Sequence, residues 1–324
     1  MKVLITDISW PDTGIEDEVL AGVGAHTVLA ETGEEDELVE LVRDADAILT
    51  CFAHVTPRVI AAGERLRVVG RYGVGTDNIA VDAATRRGLP VTNVPVYCTD
   101  EVAEHVLGML LALVRGFALY DRAVRAGDWS LAVGLPTRRV ACSTLGVVGF
   151  GAIGQTVARK AQGLDMHVVA HDADEARVRD AGVEPVSLDE LARRADAISV
   201  HVPLLDSTRH LVDAEFLKAM KPTAYLLNAA RGAIVDLDAL AAALADGTIA
   251  GAGIDVFEPE RLPADHPLLQ QDRLLATPHT AFYSDESMRD LARHAAENVA
   301  AVLRGEQPAA TVNRDALAAV AARG

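Results

Sequence analysis

Short apolar runs alternate with stretches of helical periodicity along the amino-terminal part of the chain. The runs at 3–5, 47–49 and 68–69 are typical of buried strands, and the stretches 15–22, 34–43 and 56–63 have the spacing of helices. Regular alternation of the two predicts a parallel sheet covered by helices. The pattern ends at Asn93-Val-Pro95, where the proline interrupts it.

A long helix is predicted after this break, and a second series of strands and helices follows it. Apolar side chains recur at helical spacing between 99 and 114, namely Val102, Val106, Met109, Leu110 and Leu113. Further strands are predicted at 145–148, 167–170, 197–200, 224–227 and 251–256, with helices at 155–163, 238–244 and 287–303. Residues 127–139, rich in Gly, Pro and polar side chains, are predicted to form an exposed loop.

The charge of the chain narrows its possible partners. The formal net charge is −17 and the isoelectric point is near 4.9. Such a surface repels a phosphate backbone, so we expect no nucleic-acid partner. Any anion site must therefore be built locally, from arginine or backbone amides.

The sequence also bears on location. No apolar run reaches the roughly 18 residues of a membrane span, so no membrane partner is expected. Asp7 and Asp12 interrupt the apolar amino terminus, which argues against a signal peptide. The three cysteines form no CxxC pair, and a reducing cytoplasm is the expected compartment.

A glycine-rich turn between a predicted strand and a predicted helix indicates a dinucleotide site. It reads Leu145-Gly-Val-Val-Gly149-Phe-Gly151-Ala152-Ile153-Gly154. Gly149 permits the tight turn, Gly151 lets the backbone approach a pyrophosphate, and Gly154 allows close packing of helix and strand. Asp172, at the end of the next strand, can accept hydrogen bonds from the adenosine ribose. No arginine follows it immediately, which favours NAD over NADP.

Three segments that follow later strands carry chemically active side chains. They contain Arg231, the carboxylates Asp255, Glu258 and Glu260, and His279. Ligands bind at the carboxyl ends of parallel strands in such sheets. Arginine can bind a carboxylate and polarise a carbonyl, while histidine can exchange a proton near neutral pH with a carboxylate orienting it. This set suits hydride transfer to a 2-oxo acid, and no metal is expected.

At this point the chain resembles the D-isomer-specific 2-hydroxyacid dehydrogenase family, in its phosphoglycerate-dehydrogenase-like and C-terminal-binding-protein-like branch. The resemblance covers essentially the whole length. It rests on Gly73-Val-Gly75-Thr-Asp77-Asn78-Ile, Asn93-Val-Pro95, Glu101-Val-Ala-Glu104-His105, the glycine turn, His201-Val-Pro203-Leu and the three later segments.

The resemblance implies specific roles. Arg231, Glu260 and His279 match the family's catalytic residues, and the Val74 and Gly75 amides match its loop for the substrate carboxylate. Arg71 and His54 are further candidates for substrate contact. Cofactor contacts are expected from Gly149, Gly151, Ala152, Ile153, Gly154, Asp172, His201, Pro203, Asp255 and Thr99. A homodimer formed through the nucleotide domains is also implied.

The expected fold is α/β, with two Rossmann-like parallel-sheet domains. Residues 307–312 are predicted to return to the first layer, which makes that domain discontinuous. We predict a substrate-binding domain of residues 1–98 and 290–324, with an NAD-binding Rossmann domain, 99–289, inserted into it.

Several alternatives stay open at this stage. Glu258 could replace Glu260 as the partner of the histidine. Phosphoglycerate-using relatives tend to have arginines where this chain has Thr50-Cys51-Phe52-Ala53-His54, although Arg71, His54 or Arg138 can serve a second anion. Phosphite or a phosphonylated acid are other possible substrates. A dinucleotide-sensing corepressor shares the fold and the catalytic set, and a non-acid alcohol would leave the anion loop unused.

Overall fold

The fold comes from a computed structural model that describes residues 1–133 and 137–322. Residues 134–136 of the predicted loop, and 323–324, lie outside the described ranges. The chain divides into two compact units, Met1–Tyr97 with Ser284–Gly324, and Cys98–Tyr283. Each unit contains one parallel sheet with helices, and the second is inserted in the chain of the first. The predicted fold class is confirmed.

The first unit is built on a five-stranded sheet in the order β2-β1-β3-β4-β5. Its strands are β1 (Lys2–Ile5), β2 (His26–Leu29), β3 (Ala47–Thr50), β4 (Val68–Arg71) and β5 (Val91–Thr92). Its helices are α1 (Gly14–Ala21), α2 (Glu35–Val42), α3 (Pro57–Ala62), α4 (Val81–Arg86), α12 (Asp285–Arg304) and α13 (Arg314–Ala321). All pairs of neighbouring strands are parallel.

The predicted strands of this unit are those buried on both faces. β3 and β4 are buried along their whole length, which explains their continuous apolar sequence. The sequence did not predict β2, an edge strand whose residues are exposed or half-buried, or β5, which has two residues. The short helix α4 also lacked a clear periodic signal.

The carboxyl-terminal segment returns to the first unit as predicted, but it adds no strand. The Val312 amide donates a hydrogen bond of ordinary length, 2.8 Å, to the Val91 carbonyl. The buried Asn313 side chain accepts from the Val91 amide at 2.9 Å and donates to Thr85 and the Leu89 carbonyl. Asn313, together with Asn298, whose side chain accepts from the Ala309 amide at 3.0 Å, thus fixes this segment without a strand ladder.

The second unit is built on a seven-stranded parallel sheet in the order β12-β11-β10-β9-β6-β7-β8. Its strands are β6 (Thr144–Val148), β7 (His167–His171), β8 (Glu184–Pro185), β9 (Ala197–Val200), β10 (Tyr225–Asn228), β11 (Gly251–Ile254) and β12 (Leu274–Ala276). Its helices are α5 (Thr99–Arg115), α6 (Phe117–Arg125), α7 (Ala152–Gln162), α8 (Glu175–Asp180), α9 (Leu188–Arg194), α10 (Ala214–Ala219) and α11 (Leu237–Ala245).

The strand order of the second unit contains a switch point. The chain proceeds from β6 outward through β7 and β8, and then returns to the other side of β6 with β9. The connections after β6 and β9 therefore diverge and leave a crevice at the carboxyl ends of these two strands, the usual ligand position in such sheets.

Helix α5 begins at Thr99, as predicted. Cys98 occupies the N-cap position and no side chain caps the helix, whereas Thr99 and Asp100 lie within its first turn. Across the described ranges, no helix alone has the length and apolar composition needed to cross a membrane. Only the pair α5 and α6, bent by 57°, satisfies both criteria together.

Candidate active site

The glycine turn after β6 has the shape expected of a pyrophosphate-binding loop. Gly149 has φ +91°, and a Cβ there would lie 2.7 Å from the His201 carbonyl carbon. A Cβ at Gly154 would lie 2.2 Å from the Gly149 oxygen, whereas a Cβ at Gly151 would meet nothing within 4 Å. Protein contacts therefore require two of the glycines, and the third faces open space beside the start of α7. Free amides at a helix start favour an anion, so the turn fits a dinucleotide.

Asp172 is tied to the same turn. One carboxylate oxygen accepts a hydrogen bond from the Phe150 amide at 2.6 Å, and the other accepts from the Asp174 amide at 2.8 Å. Burial by itself raises the pKa of Asp172, but these two amides together lower it below its usual range. Asp172 is therefore an anionic acceptor at the end of β7.

An arginine that the sequence analysis did not consider lies near this aspartate. Arg177, on α8, has a guanidinium nitrogen 3.9 Å from an Asp172 oxygen and another 3.2 Å from Asp174. No arginine follows Asp172 immediately in the sequence. Arg177 nevertheless lies close to Asp172 in space, because it is in the first turn of α8. The end of β7 thus holds both an anionic hydrogen-bond acceptor and a cation.

The segment after β9 forms the opposite wall of the turn. The His201 amide donates to the Val148 carbonyl at 2.7 Å, and its imidazole Nε2 lies 2.7 Å from the Ser199 hydroxyl. Burial lowers the pKa of His201 to about 4, so its imidazole is neutral at neutral pH. The exposed Pro203 follows, and its carbonyl accepts from the Thr208 hydroxyl at 2.6 Å.

Three adjacent strands end beside the predicted catalytic side chains. β10, β11 and β12 are neighbours in the sheet and run parallel, so their carboxyl ends lie at one edge. Arg231 follows β10, Asp255 follows β11 and His279 follows β12. The sheet therefore brings these segments together although they are distant in sequence.

His279 contacts Glu260 rather than Glu258. The imidazole Nδ1 lies 3.1 Å from a Glu260 oxygen, and the Phe282 ring packs edge-on at 6.0 Å between ring centres. Glu258 instead pairs with Arg209 at 2.7 Å. Of the two acids that the sequence left open as the partner of His279, Glu260 is therefore the one in contact with it.

Arg231 is held by close contact between two loops. Its carbonyl accepts from the Asn228 side chain at 2.9 Å, and its guanidinium donates to the Ala230 carbonyl at 2.8 Å. A Cβ at the following Gly232 would lie 2.1 Å from the Phe257 carbonyl carbon. Only glycine allows the loops after β10 and β11 to approach this closely.

Asp255 organises the backbone that carries His279. It is completely buried, and its carboxylate accepts from the Thr277 hydroxyl at 2.5 Å and from the Thr280 and Ala281 amides at 2.9 Å. Its carbonyl accepts from the His279 amide at 2.7 Å. His279 has φ +55°, an uncommon conformation that these bonds maintain.

His105, on α5, extends this network. Its Nε2 lies 3.0 Å from the Thr277 hydroxyl oxygen. Because Thr277 has one hydroxyl proton and donates it to Asp255, His105 must donate through Nε2. The sequence assigned no partner to His105, because Thr277 lies far away in the chain, in the loop after β12.

The candidate anion loop lies in the first unit. Gly73 has φ +136° and its carbonyl accepts from the Val94 amide at 2.9 Å, while the Val74 carbonyl accepts from the Asn93 side chain at 2.7 Å. Val74 is exposed and Gly75 half-buried. The carbonyls of Gly73 and Val74 therefore hold the 73–75 segment in place.

The two further candidates near this loop differ in burial. Arg71 is buried, with its guanidinium 6.0 Å from the centre of the Phe52 ring and a short hydrogen bond to the Tyr72 carbonyl. His54 is exposed. His54 follows β3 and Arg71 is the last residue of β4, so both lie at the carboxyl ends of strands in the five-stranded sheet.

Arg138 lies at the other edge of the second sheet. It lines a cavity of about 360 Å³ with Asp196, Thr223 and Tyr225, at the amino ends of β9 and β10. His279 and the glycine turn lie at the carboxyl ends. Arg138 therefore cannot act on an anion beside His279 of the same chain, contrary to one of the possibilities left open by the sequence.

We predict that Thr277→Val lowers both stability and turnover. Valine keeps the shape but removes one of the two donors to Asp255 Oδ1 and leaves the His105 donor without its acceptor, at a cost of about 1–3 kcal/mol in the free energy of unfolding. Urea unfolding and kcat measure the two effects. Thr277→Ser restores the hydroxyl and should recover most of both, and equal losses in the two variants would contradict the role of the hydrogen bond.

Comparison with known proteins agrees with this geometry. Residues 107–281 match the sequence model of the family described as D-isomer specific 2-hydroxyacid dehydrogenase, NAD binding domain. A glyoxylate reductase of Thermofilum pendens is 39% identical over 289 residues, which cover 87% of this chain and 85% of that protein. A D-3-phosphoglycerate dehydrogenase of Methanocaldococcus jannaschii is 37% identical over 317 residues, which cover 97% of this chain and 59% of that protein.

Solved structures give the same result. The D-lactate dehydrogenase of Aquifex aeolicus, crystallised with NAD and lactic acid, aligns with a TM-score of 0.88 and 28% identity. The alignment covers 96% of this chain and 99% of that one. Identity and coverage at this level, together with the family match, show that the chain belongs to the D-isomer specific 2-hydroxyacid dehydrogenase family of nicotinamide-dependent oxidoreductases.

Proposed function

We propose that this enzyme interconverts a small 2-oxo acid and its 2-hydroxy acid, with NAD(H) as the hydride carrier. The observation that carries the proposal is the His279–Glu260 contact of 3.1 Å at the edge of the sheet where the glycine turn also lies. A proton donor and a dinucleotide cradle at one edge are what carbonyl reduction requires.

The protein residues have separable roles in this reaction. The Val74 and Gly75 amides bind the substrate carboxylate. Arg231 binds the same group and polarises the C2 carbonyl. In reduction, His279 gives its proton to the C2 oxygen, and in oxidation the neutral imidazole takes it back, with Glu260 orienting the ring.

Bound NADH supplies the hydride that reaches C2. Asp172 supports NAD over NADP, because an anionic acceptor binds ribose hydroxyls and repels a 2′-phosphate. The turn residues Gly149, Gly151, Ala152, Ile153 and Gly154 are proposed to hold the pyrophosphate, with Asp172, His201, Pro203, Asp255 and Thr99 making the other cofactor contacts.

Glyoxylate is a natural first substrate to test, because the Thermofilum pendens relative is named for its reduction. The loop after β3 contains Phe52 and Cys51, neither of which can bind a phosphate. Arg71 is the nearby cation, and its guanidinium contacts the Phe52 ring. These features favour a small acid over a phosphorylated one.

We predict that the chain oxidises NADH with at least one acid from a panel of glyoxylate, pyruvate, hydroxypyruvate and 3-phosphohydroxypyruvate. His279→Asn should lower kcat by about 10²–10⁴-fold while NADH binding persists. The exposed His294→Asn serves as its control. Loss of NADH absorbance measures turnover.

A matched acid pair tests the role of Glu260. Glu260→Gln should lower kcat by at least about tenfold, whereas Glu258→Gln, which only affects the pair with Arg209, should not. NADH binding without reduction of any acid would refute the proposed reaction. Phosphite oxidation and corepressor-like peptide binding would then be tested.

We predict a change of cofactor preference in Asp172→Ala. The variant loses the ribose acceptor and the anion that repels a 2′-phosphate, but it keeps Arg177 within reach of that position. The ratio of kcat/KM for NADPH to that for NADH should rise by about 10–100-fold. The exposed Asp180→Ala should keep the wild-type ratio, and an unchanged ratio in Asp172→Ala would remove Asp172 from cofactor selection.

We also propose a homodimer formed through the second unit. Four apolar side chains in the segment that follows α5 are exposed, namely Phe117, Val124, Trp129 and Leu131. Such a cluster is typical of an association surface. Light scattering should give twice the chain mass, and Leu131→Asp should shift it toward the monomer. Val320→Asp, at an exposed site of the first unit, should not, and a monomeric wild type would contradict the proposal.

A further inference from the structure

A buried acid lies behind the candidate anion loop in the first unit. Glu16, in the first turn of α1, has no exposed surface. Its Oε1 accepts a hydrogen bond from the Tyr72 hydroxyl at 2.9 Å and another from the Trp10 indole at 3.2 Å. The Trp10 and Tyr72 rings also pack edge-on, with centres 4.8 Å apart. One oxygen thus joins two aromatic side chains from separate loops.

The second oxygen of this acid is buried without support. Glu16 Oε2 has no hydrogen-bond partner among the described residues. A buried carboxylate anion with one unsolvated oxygen is far less stable than the neutral acid. Burial accordingly raises the pKa of Glu16, against the smaller lowering effect of its hydrogen bonds. Burial and the missing donor both act in favour of the protonated acid.

The aromatic partner of Glu16 leads directly into the anion loop. Tyr72 immediately precedes Gly73, and its own amide donates to the Thr50 carbonyl at 2.8 Å. Burial, and next the nearby Glu16, raise the pKa of Tyr72 well above its usual value, so its hydroxyl remains a donor. Tyr72 therefore fixes the point where β4 ends and the 73–75 segment begins.

The loops after β1 and β3 are connected in a similar way. Asp7 accepts from the Cys51 amide at 3.0 Å and from the Phe52 amide at 2.7 Å. The loop after β1 also contains Trp10, which donates to Glu16. Glu16 and Asp7 thus link the loops after β1, β3 and β4 into one assembly.

We propose that Glu16 is a positioning residue, whose neutral form joins Trp10 to Tyr72 and so keeps the 73–75 segment in the conformation that binds the substrate carboxylate. This inference rests on the proposed function, because it assigns carboxylate binding to the Val74 and Gly75 amides. Glu16 itself touches neither substrate nor cofactor in this scheme.

The charged groups near Glu16 and Tyr72 are mainly acids, apart from Arg71, whose buried guanidinium donates to the Tyr72 carbonyl. Asp17 on the same helix and Asp7 near Tyr72 are acids, and Cys51 is a buried thiol whose pKa burial raises to about 12. Helix α12 packs on α1, and none of its buried side chains is titratable. Strand β2, also packed on α1, contributes only the exposed His26.

Ionisation therefore favours movement of the Glu16 side chain toward water. That movement breaks both hydrogen bonds and releases Tyr72. The folded chain retains a proton that the unfolded chain loses, because the pKa of Glu16 is raised on folding. The associated stability consequently decreases as the pH rises from the ordinary glutamate pKa through the folded value.

Steady-state kinetics between about pH 5 and about pH 9 test the proposal. In the wild type, KM for the 2-oxo acid substrate should rise with pH by at least about fivefold. The value of kcat should change less, because the 73–75 segment is proposed to bind the substrate before the chemical step. Glu16→Gln is neutral at every pH and should lack this rise. Glu18→Gln, the same change at an exposed position of α1, should keep it.

Tryptophan fluorescence gives a measurement that needs no turnover. The chain has two tryptophans, and Trp129→Phe leaves Trp10 as the only reporter. Trp10 emission should shift to longer wavelength with increasing pH, and Glu16→Gln in the same background should abolish the shift. Tyr72→Phe, which removes the hydroxyl donor, should raise KM at low pH toward the alkaline wild-type value.

The outcomes separate this inference from the proposed function. Identical KM profiles in wild type and Glu16→Gln, or a Trp10 emission that does not depend on Glu16, would overturn the positioning role. Failure of the wild type to reduce any 2-oxo acid would refute the proposed function. Trp10 titration would then still decide whether Glu16 controls the contact with Tyr72.

Discussion

The buried carboxylate of Asp255 determines the geometry of the catalytic edge of the second unit. It accepts hydrogen bonds from one hydroxyl and two amides of the loop after β12, while its own carbonyl accepts from the His279 amide. A charged acceptor is needed because this turn has several amide donors and no exposure to water at Asp255. The uncommon backbone conformation of His279 follows from these bonds.

Close backbone contacts bring the remaining parts of this edge together. Gly149 lies against the His201 backbone, and Gly232 lies against the backbone after Phe257. Each glycine allows a separation that no side chain would permit, so the loops after β6 and β9, and after β10 and β11, lie side by side. The glycine turn and His279 are then fixed by the same sheet, which reduces the entropy cost of ordering them.

The first unit connects its loops through two acidic side chains. Asp7 and Glu16 each link two segments at the carboxyl ends of its strands. Asp7 is an acid with amide partners on both oxygens, whereas Glu16 has partners on one oxygen only. This difference is the basis of the role proposed above for Glu16.

Most of the strands and helices, the α/β fold class, the glycine turn and the chemical groups near it can be predicted from the sequence. These are local properties, because apolar periodicity and a glycine in a required conformation can be recognised within a few residues of sequence. Edge strands such as β2 and β12 leave weak marks because they are only partly buried. Tertiary packing instead brings Glu260 rather than Glu258 to His279, places Arg138 at the opposite edge and buries Glu16. Each of these three features depends on contacts between distant parts of the chain. Long-range packing determines which side chains pair and which are buried away from water.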